Sequence, residues 1–102
     1  MLFRSDFGAA IRLNPENADG YNGRAWTYFK AARAAEGLPD AEKAVKLAPN
    51  DAQVLDTRAH IYEAMGRKDD AVADYGRALS LDPSHEGSRE GLKRLEIGRA
   101  HV

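Results

Sequence analysis

Three histidines are the first side chains in this sequence that could do chemistry, because a neutral imidazole can bind a metal or move a proton. His60 and Glu63 are three residues apart, so they would share one face of a helix. No second pair of this kind accompanies His85 or His101, and a catalytic metal site needs about three protein ligands. The sequence therefore predicts no metal site and no cofactor, and it favours a structural or partner-contact role for these residues.

The chain also lacks the sequence features of an enzyme. It has no cysteine, which excludes a cysteine nucleophile, a thiolate metal site and a disulfide framework. A phosphate-binding glycine loop and a serine nucleophile elbow are both absent. Paired carboxylates such as Asp69 and Asp70 are better explained by the preference for negative charge at a helix start than by acid–base catalysis. We therefore expect a protein that is not an enzyme.

Composition and charge describe one small helical domain. Fifteen basic and sixteen acidic residues among 102 leave a formal net charge of -1. Such a balance provides no field to hold nucleic acid or an anionic membrane, so neither is expected as a partner. The N-terminus lacks a secretory core and no apolar run is long enough to span a bilayer, so we expect a cytoplasmic protein. Abundant Ala, Leu, Glu, Lys and Arg favour an all-α fold.

A regular period organises the sequence. Pro15, Pro49 and Pro83 are equally spaced and end the similar segments IRLNP, VKLAP and LSLDP. Many other residues align at the same offset, so the period is not a coincidence of prolines. The aligned residues include Asp6, Asp40 and Asp74; Ala10, Ala44 and Ala78; Arg24 and Arg58; and Tyr28 and Tyr62.

Each copy of the repeat has the pattern of two helices. In the second copy, apolar residues recur at intervals of three and four and predict a helix over 52–65. A second apolar stripe predicts a helix over 69–81, and Pro83 prevents its continuation. In the first copy, Pro39 is acceptable only within the first turn of a helix, so we expect that helix to begin near 36–38.

This ordered pattern resembles the tetratricopeptide repeat, a helix-turn-helix unit of about 34 residues, which is also the spacing of the prolines. In 52–85 the motif positions are occupied by Leu55, Ala59, Tyr62, Gly66, Ala71, Tyr75, Ala78 and Pro83. Arg58 departs from the leucine of the pattern, and in the first copy Ala41 replaces its aromatic residue. The resemblance covers about 2–98 and implies a single domain of about six helices in antiparallel pairs. Its parts are a half repeat over 2–15, repeats over 18–51 and 52–85, and a capping helix over 86–98.

The resemblance implies a concave groove that binds a peptide or a partner protein, because the first helix of each repeat lines that surface in the family. Trp26 and Phe29 lie off the packing stripe, so we expect them to be partly exposed anchors, with packing of Trp26 on the next helix as the alternative. The clamp for a C-terminal carboxylate found in chaperone adaptors is not supported, because Asp56 would repel that group. Asp56, His60 and Glu63 are expected to set the polarity of the groove and to favour a partner with some basic character. The predicted groove comprises Asn22, Trp26, Phe29, Lys30, Gln53, Asp56, His60 and Glu63.

Two other functions stay open. The N-terminal half repeat presents an exposed apolar stripe on a helix with no partner of its own repeat, which predicts self-association into a homodimer. Alternatively, the chain is a fragment of a longer array and acts as a spacer. The stripe comprises Leu2, Phe3, Phe7 and Ile11.

The repeated arginines and aspartates predict ion pairs within the array. Arg24 and Arg58 occupy equivalent positions, and so do Asp6, Asp40 and Asp74. We expect charge-assisted pairing between helices, with anion recognition in the groove as the alternative.

Overall fold

The computed structural model describes the backbone of residues 2–100 and the side chains of residues 7–97, and this part of the chain forms six α-helices. The all-α prediction is confirmed. Within residues 2–100, no helix combines the length and the apolar character needed to cross a bilayer. The helices are α1 (Leu2–Leu13), α2 (Ala18–Lys30), α3 (Ala34–Leu47), α4 (Ala52–Ala64), α5 (Lys68–Leu81) and α6 (Glu86–Ala100).

The first helix of each full repeat begins at a side-chain cap. Asn17 accepts hydrogen bonds from the backbone N–H groups of residues 19 and 20 at the start of α2. Asp51 accepts one from the N–H of residue 53 at the start of α4. Each cap satisfies donors that would otherwise have no partner in the first turn. The observed bounds of α4 and α5 agree with the predicted 52–65 and 69–81 to within one residue.

The predicted start of α3 near 36–38 is wrong, because the helix begins at Ala34. Pro39 therefore lies beyond the first turn, where it lacks the N–H that would normally bond to the carbonyl of Ala35. The first turn is held instead by an ion pair, in which Arg33 donates two hydrogen bonds of 2.8 and 2.6 Å to Glu36. The preceding turn, and not the proline, fixes where α3 starts.

The helices form a curved array rather than a closed bundle. The pairs α2–α3 and α4–α5 pack within repeats, and α6 packs on α5. Across repeats, α2 contacts α4 and α4 contacts α6, whereas α3 and α5 do not contact each other. Because only the first helices meet their equivalents, they lie on the inner, concave side. The array measures 45 × 27 × 18 Å.

Small residues allow the helices to approach closely, and large residues fill the holes that they leave. The ring of Phe7 on α1 lies over Gly23, and the ring of Tyr75 on α5 lies over Gly91 on α6, so neither glycine has room for a Cβ atom. The junction between α3 and α4 has Ala41 and Thr57 at the equivalent positions, both fully buried. At the three junctions, a larger residue on one helix is thus matched by a smaller residue at the equivalent position of the neighbouring helix. Close packing requires such matching of side-chain volumes.

Two bidentate ion pairs join the helices within the repeats. Arg24 donates hydrogen bonds of 2.7 and 2.9 Å to the carboxylate of Asp40. Arg58 donates equivalent bonds of 2.6 and 2.9 Å to Asp74. The predicted ion pairs between helices are therefore confirmed for these two repeats, while the side chain of Asp6 lies outside the described residues.

This matching of side-chain volumes predicts how the stability of the α3–α4 junction responds to substitution. Ala41→Phe alone should lower the free energy of unfolding by about 2 kcal/mol, because the ring meets Thr57 in a filled core. In the double variant with Thr57→Gly, part of that loss should be recovered, since the junction then matches the two that flank it. Urea unfolding of the wild type, both single variants and the double variant measures this coupling. If the losses in free energy of unfolding of the two single variants simply add in the double variant, the two positions do not compensate each other in volume.

The turns that end α2 and α4 predict a second effect on stability. Ala32 has a φ of 62° and the equivalent Gly66 a φ of 81°, a left-handed conformation that strains every residue with a Cβ. Ala32→Gly should therefore raise the free energy of unfolding by about 1 kcal/mol. Gly66→Ala is the matched control and should lower it by a similar amount, because open space leaves only the backbone strain. Equal effects of the same sign in urea unfolding would refute this account.

Candidate functional site

Three rings from two helices form an aromatic cluster on the concave side. Trp26 and Phe29 lie one turn apart on α2, with ring centroids 4.9 Å apart. The imidazole of His60 on α4 meets both rings at 5.3 and 5.4 Å, in edge-to-face geometries that aromatic pairs prefer. All three side chains are half-buried. Trp26 therefore does both things that the sequence left open, since it packs against the next helix and keeps part of its surface accessible.

Asp56 is the main correction to the predicted groove, because it is only 4% exposed. Its carboxylate accepts a hydrogen bond of 2.8 Å from the buried hydroxyl of Ser88, which anchors α6 on α4. The other carboxylate oxygen lies 3.3 Å from Nδ1 of His60. Asp56 therefore joins the capping helix to the array and is not free to set the charge of a groove.

The same carboxylate determines the protonation of His60. Nδ1 of His60 carries the proton, because it donates to the backbone carbonyl of Asp56 at 2.9 Å and faces the carboxylate as well. Burial by itself lowers the pKa of the imidazole, and the charge of Arg94 lowers it further. The hydrogen bonds and the charge of Asp56 outweigh both effects and raise the pKa of His60 above its ordinary value of 6.5.

Glu63 is also engaged within the chain and is not open to a ligand. Its carboxylate accepts hydrogen bonds of 3.1 and 2.9 Å from Arg94 on α6. It accepts another of 2.8 Å from the hydroxyl of Tyr75. Burial raises the pKa of Glu63, but these partners outweigh it and hold the pKa below the ordinary value. The predicted role of Glu63 in attracting a basic partner is therefore weakened, since Arg94 already balances its charge.

The remaining predicted groove residues differ in accessibility. Asn22 is half-buried, and its Oδ1 atom is buried without a hydrogen-bond partner among the described residues. Gln53 is exposed, and its side-chain oxygen accepts a hydrogen bond of 3.1 Å from Nε2 of His85. Lys30 is exposed, with Nζ 5.9 Å from the centroid of the Trp26 ring. The structure thus brings Lys30 to the aromatic cluster and places Gln53 against the loop before α6.

Within the described side chains, no three His, Asp or Glu residues are grouped so that they could hold a metal ion. His60 and Glu63 share a helix face as the sequence indicated, but their polar atoms have separate partners. His101 lies outside the described residues.

The predicted self-association edge is partly covered by its own chain. The ring of Phe7 lies on Gly23, and a side-chain carbon of Ile11 would lie 3.0 Å from a Cβ atom at Gly20. Both side chains are half-buried against α2, a helix of the following repeat, so this part of the stripe is less exposed than expected. The side chains of Leu2 and Phe3 lie outside the described residues. Homodimerisation through this edge stays a prediction.

Sequence reasoning missed the contacts that the capping helix makes with the site. Ser88 and Arg94 on α6 bind Asp56 and Glu63, so residues selected for a ligand hold the array together. One signal was available: Gly91 lies two repeat lengths after Gly23, and this alignment marks where α6 receives an aromatic ring. No comparable pattern in the sequence indicates that Ser88 binds Asp56.

The family model for the tetratricopeptide repeat matches residues 57–85. No curated protein matches the sequence. Among solved structures, the Arabidopsis OM64 TPR domain is 28% identical, with a TM-score of 0.83 over 94% of this chain and 77% of that one. The first TPR domain of human RPAP3 is 23% identical, with a TM-score of 0.87 over 93% of this chain and 75% of that one.

A third similar structure contains a peptide. It is the first TPR of Spaghetti (RPAP3) bound to the HSP90 peptide SRMEEVD, which is 23% identical and has a TM-score of 0.86. The match covers 92% of this chain and 75% of that one. At this identity the likeness shows the fold, which is the array of antiparallel helix pairs described above.

The pairing of His60 with Asp56 predicts a dependence of stability on pH. Because the folded state raises the pKa of His60, its contribution to stability is complete below the ordinary pKa and is lost as pH rises through the folded value. The wild type should therefore be more stable than His60→Gln, and this difference in the free energy of unfolding should be larger near about pH 6 than near about pH 8. Urea unfolding at both pH values measures it. An excess that grows with pH would contradict the assignment.

Proposed function

Because the chain is a tetratricopeptide repeat domain, we propose that it binds a peptide or a segment of a partner protein along the concave surface of α2, α4 and α6. The observation that carries this proposal is the aromatic cluster. Rings that are packed against one another yet half-exposed can bury more surface against a partner at little cost in side-chain entropy. A family of scaffold domains without catalytic chemistry is consistent with the absence of enzyme motifs from the sequence.

The partner that we propose does not depend on a terminal carboxylate. The similar structures of RPAP3 contain chaperone peptides that end in EEVD, namely an HSP90 peptide in the first domain and an HSP70 peptide in the second. This chain has Trp26, Asp56 and Thr57 where such a clamp needs amides and cations. Asp56 and Thr57 are also buried. The groove therefore favours contact with apolar side chains and with the peptide backbone.

Asn22 supports recognition of a peptide backbone. Its buried Oδ1 atom has no donor within the described residues, and an unmatched buried acceptor is costly. Asn22 lies one helical turn before Trp26 on α2, so rotation of its half-buried side chain on binding would let this oxygen accept a backbone N–H from a peptide that covers the indole. The amide would then fix the register of a peptide whose affinity comes from the rings.

Selection from a phage-displayed library of random dodecapeptides tests this function. Peptides enriched on the wild type should lose about thirtyfold in affinity on Trp26→Ala, which corresponds to roughly 2 kcal/mol for an aromatic hot spot. The control is Leu81→Ala, because Leu81 is a large apolar residue that is 41% exposed at the end of α5. The Leu81→Ala variant should bind the same peptides with unchanged affinity in fluorescence anisotropy titrations. If Trp26→Ala binds every selected peptide like the wild type, the groove is not the binding site.

A further inference from the structure

A cavity adjoins the aromatic cluster at the turn between α2 and α3. It has a volume of about 690 Å³, within the range of ligand-binding clefts, and it opens to solvent. Most of the residues that line it are apolar, and Met65 at the end of α4 is 37% exposed. The apolar residues that line it are Phe29, Ala32, Ala34, Ala35, Ala64 and Met65.

The repeat itself supplies a comparison that shows how unusual this apolar surface is. The corresponding turn of the second repeat, between α4 and α5, carries charged side chains at the equivalent positions. Its sequence GRKDD stands where the first repeat has ARAAE. The fold therefore does not require alanines at this turn. The positions of Phe29, Ala34 and Ala35 are taken in the second repeat by Glu63, Lys68 and Asp69.

Backbone strain is concentrated in the same cavity. Ala32 is the only residue other than glycine with a positive φ in the described part of the chain, and it lines the cavity. The second repeat has Gly66 at this position, which avoids the strain. An alanine in a left-handed conformation keeps an apolar contact surface at a cost in stability, and such strain occurs most often at functional sites.

We propose that this cavity is an apolar subsite that takes an aliphatic side chain of the peptide bound along the concave surface. The inference rests on the proposed function, because Phe29 belongs to both the aromatic cluster and the cavity wall. A peptide lying on Trp26 therefore reaches the cavity without leaving the ring of Phe29. The subsite is distinct from the aromatic cluster, since its other walls come from the α2–α3 turn and from the end of α4.

The charges at the rim favour an uncharged occupant. Arg33 and Glu36 are the charged residues that line the cavity, and they neutralise each other in an ion pair of 2.6 Å. A charged side chain in the cavity would find no unpaired opposite charge there and would lose water to apolar walls. Leu, Ile, Val or Met instead gains from burial, and the accessible thioether of Met65 adapts to each of these shapes.

Two substitutions alter the subsite without touching the aromatic cluster. Ala35→Asp places in the first repeat the residue that the second repeat has as Asp69, and an acid suits the first turn of α3. Met65→Gln keeps the length of the side chain and removes its apolar end. Ala73→Asp is the matched control, because it adds the same charge to an exposed alanine of α5 that does not line the cavity. Circular dichroism and urea unfolding of each variant show whether it is folded.

The probes are synthetic peptides with the sequences selected from the random library, together with versions in which each aliphatic residue is replaced by Ser. On the wild type, one such replacement should weaken binding about tenfold, as expected for an aliphatic side chain that leaves its pocket. Ala35→Asp and Met65→Gln should weaken the parent peptide to a similar extent, and the Ser peptide hardly at all. Ala73→Asp should behave like the wild type with both peptides.

The outcomes separate this inference from the proposed function. If Trp26→Ala abolishes binding while Ala35→Asp and Met65→Gln bind like the wild type, the groove stands and the subsite is refuted. Equal losses for the Ser peptide on all proteins would place the aliphatic contact elsewhere and also refute it. If no peptide is enriched, both proposals fall. A wild-type dimer in light scattering that Ala35→Asp dissociates would make a second copy of the chain the occupant, which overturns the peptide subsite.

Discussion

Close approach between neighbouring helices is the constraint on which the rest of this structure depends. The helices meet where one of two facing residues is very small, as when aromatic rings cover Gly23 and Gly91. Six alanines in the interior are fully buried, so the backbones themselves come near one another. This spacing brings α2 against α4 while α3 and α5 remain apart, which gives the array its curvature. The aromatic cluster exists because of it, since His60 reaches Trp26 and Phe29 across that helix contact.

Polar contacts then fix an orientation that small residues alone leave loosely defined. The pairs Arg24–Asp40 and Arg58–Asp74 join the two helices of a repeat with planar, bidentate geometry, which resists sliding of one helix along the other. Their guanidinium groups are only partly buried, so the net free energy that each pair contributes is modest. Their main effect is to fix the position of the two helices of a repeat relative to each other. Asp56 does the same between repeats, where its bond to Ser88 holds the capping helix.

Much of the fold followed from the sequence because a constant repeat length compares the chain with itself. The helix pairs, the ion pairs and the exposed part of Trp26 all follow from that comparison together with helical spacing. The predicted start of α3 was wrong because the turn at Ala32 determines where the helix begins. The residue types there do not indicate that an alanine adopts a left-handed conformation. Asp56 and Glu63 were misjudged because spacing selects a helix face, whereas a partner on α6 decides whether that face is open.

These internal contacts also limit what the concave surface can recognise. The carboxylates of Asp56 and Glu63 are occupied by partners on α6, and a ligand that competed for them would have to loosen the capping helix. Recognition by charge would therefore oppose the stability of the array. Recognition by apolar contact does not, because Trp26 and Phe29 offer ring surface that the fold leaves uncovered. Under the proposed function, the exposed parts of the rings meet the partner, while the carboxylates of Asp56 and Glu63 hold the capping helix to the array.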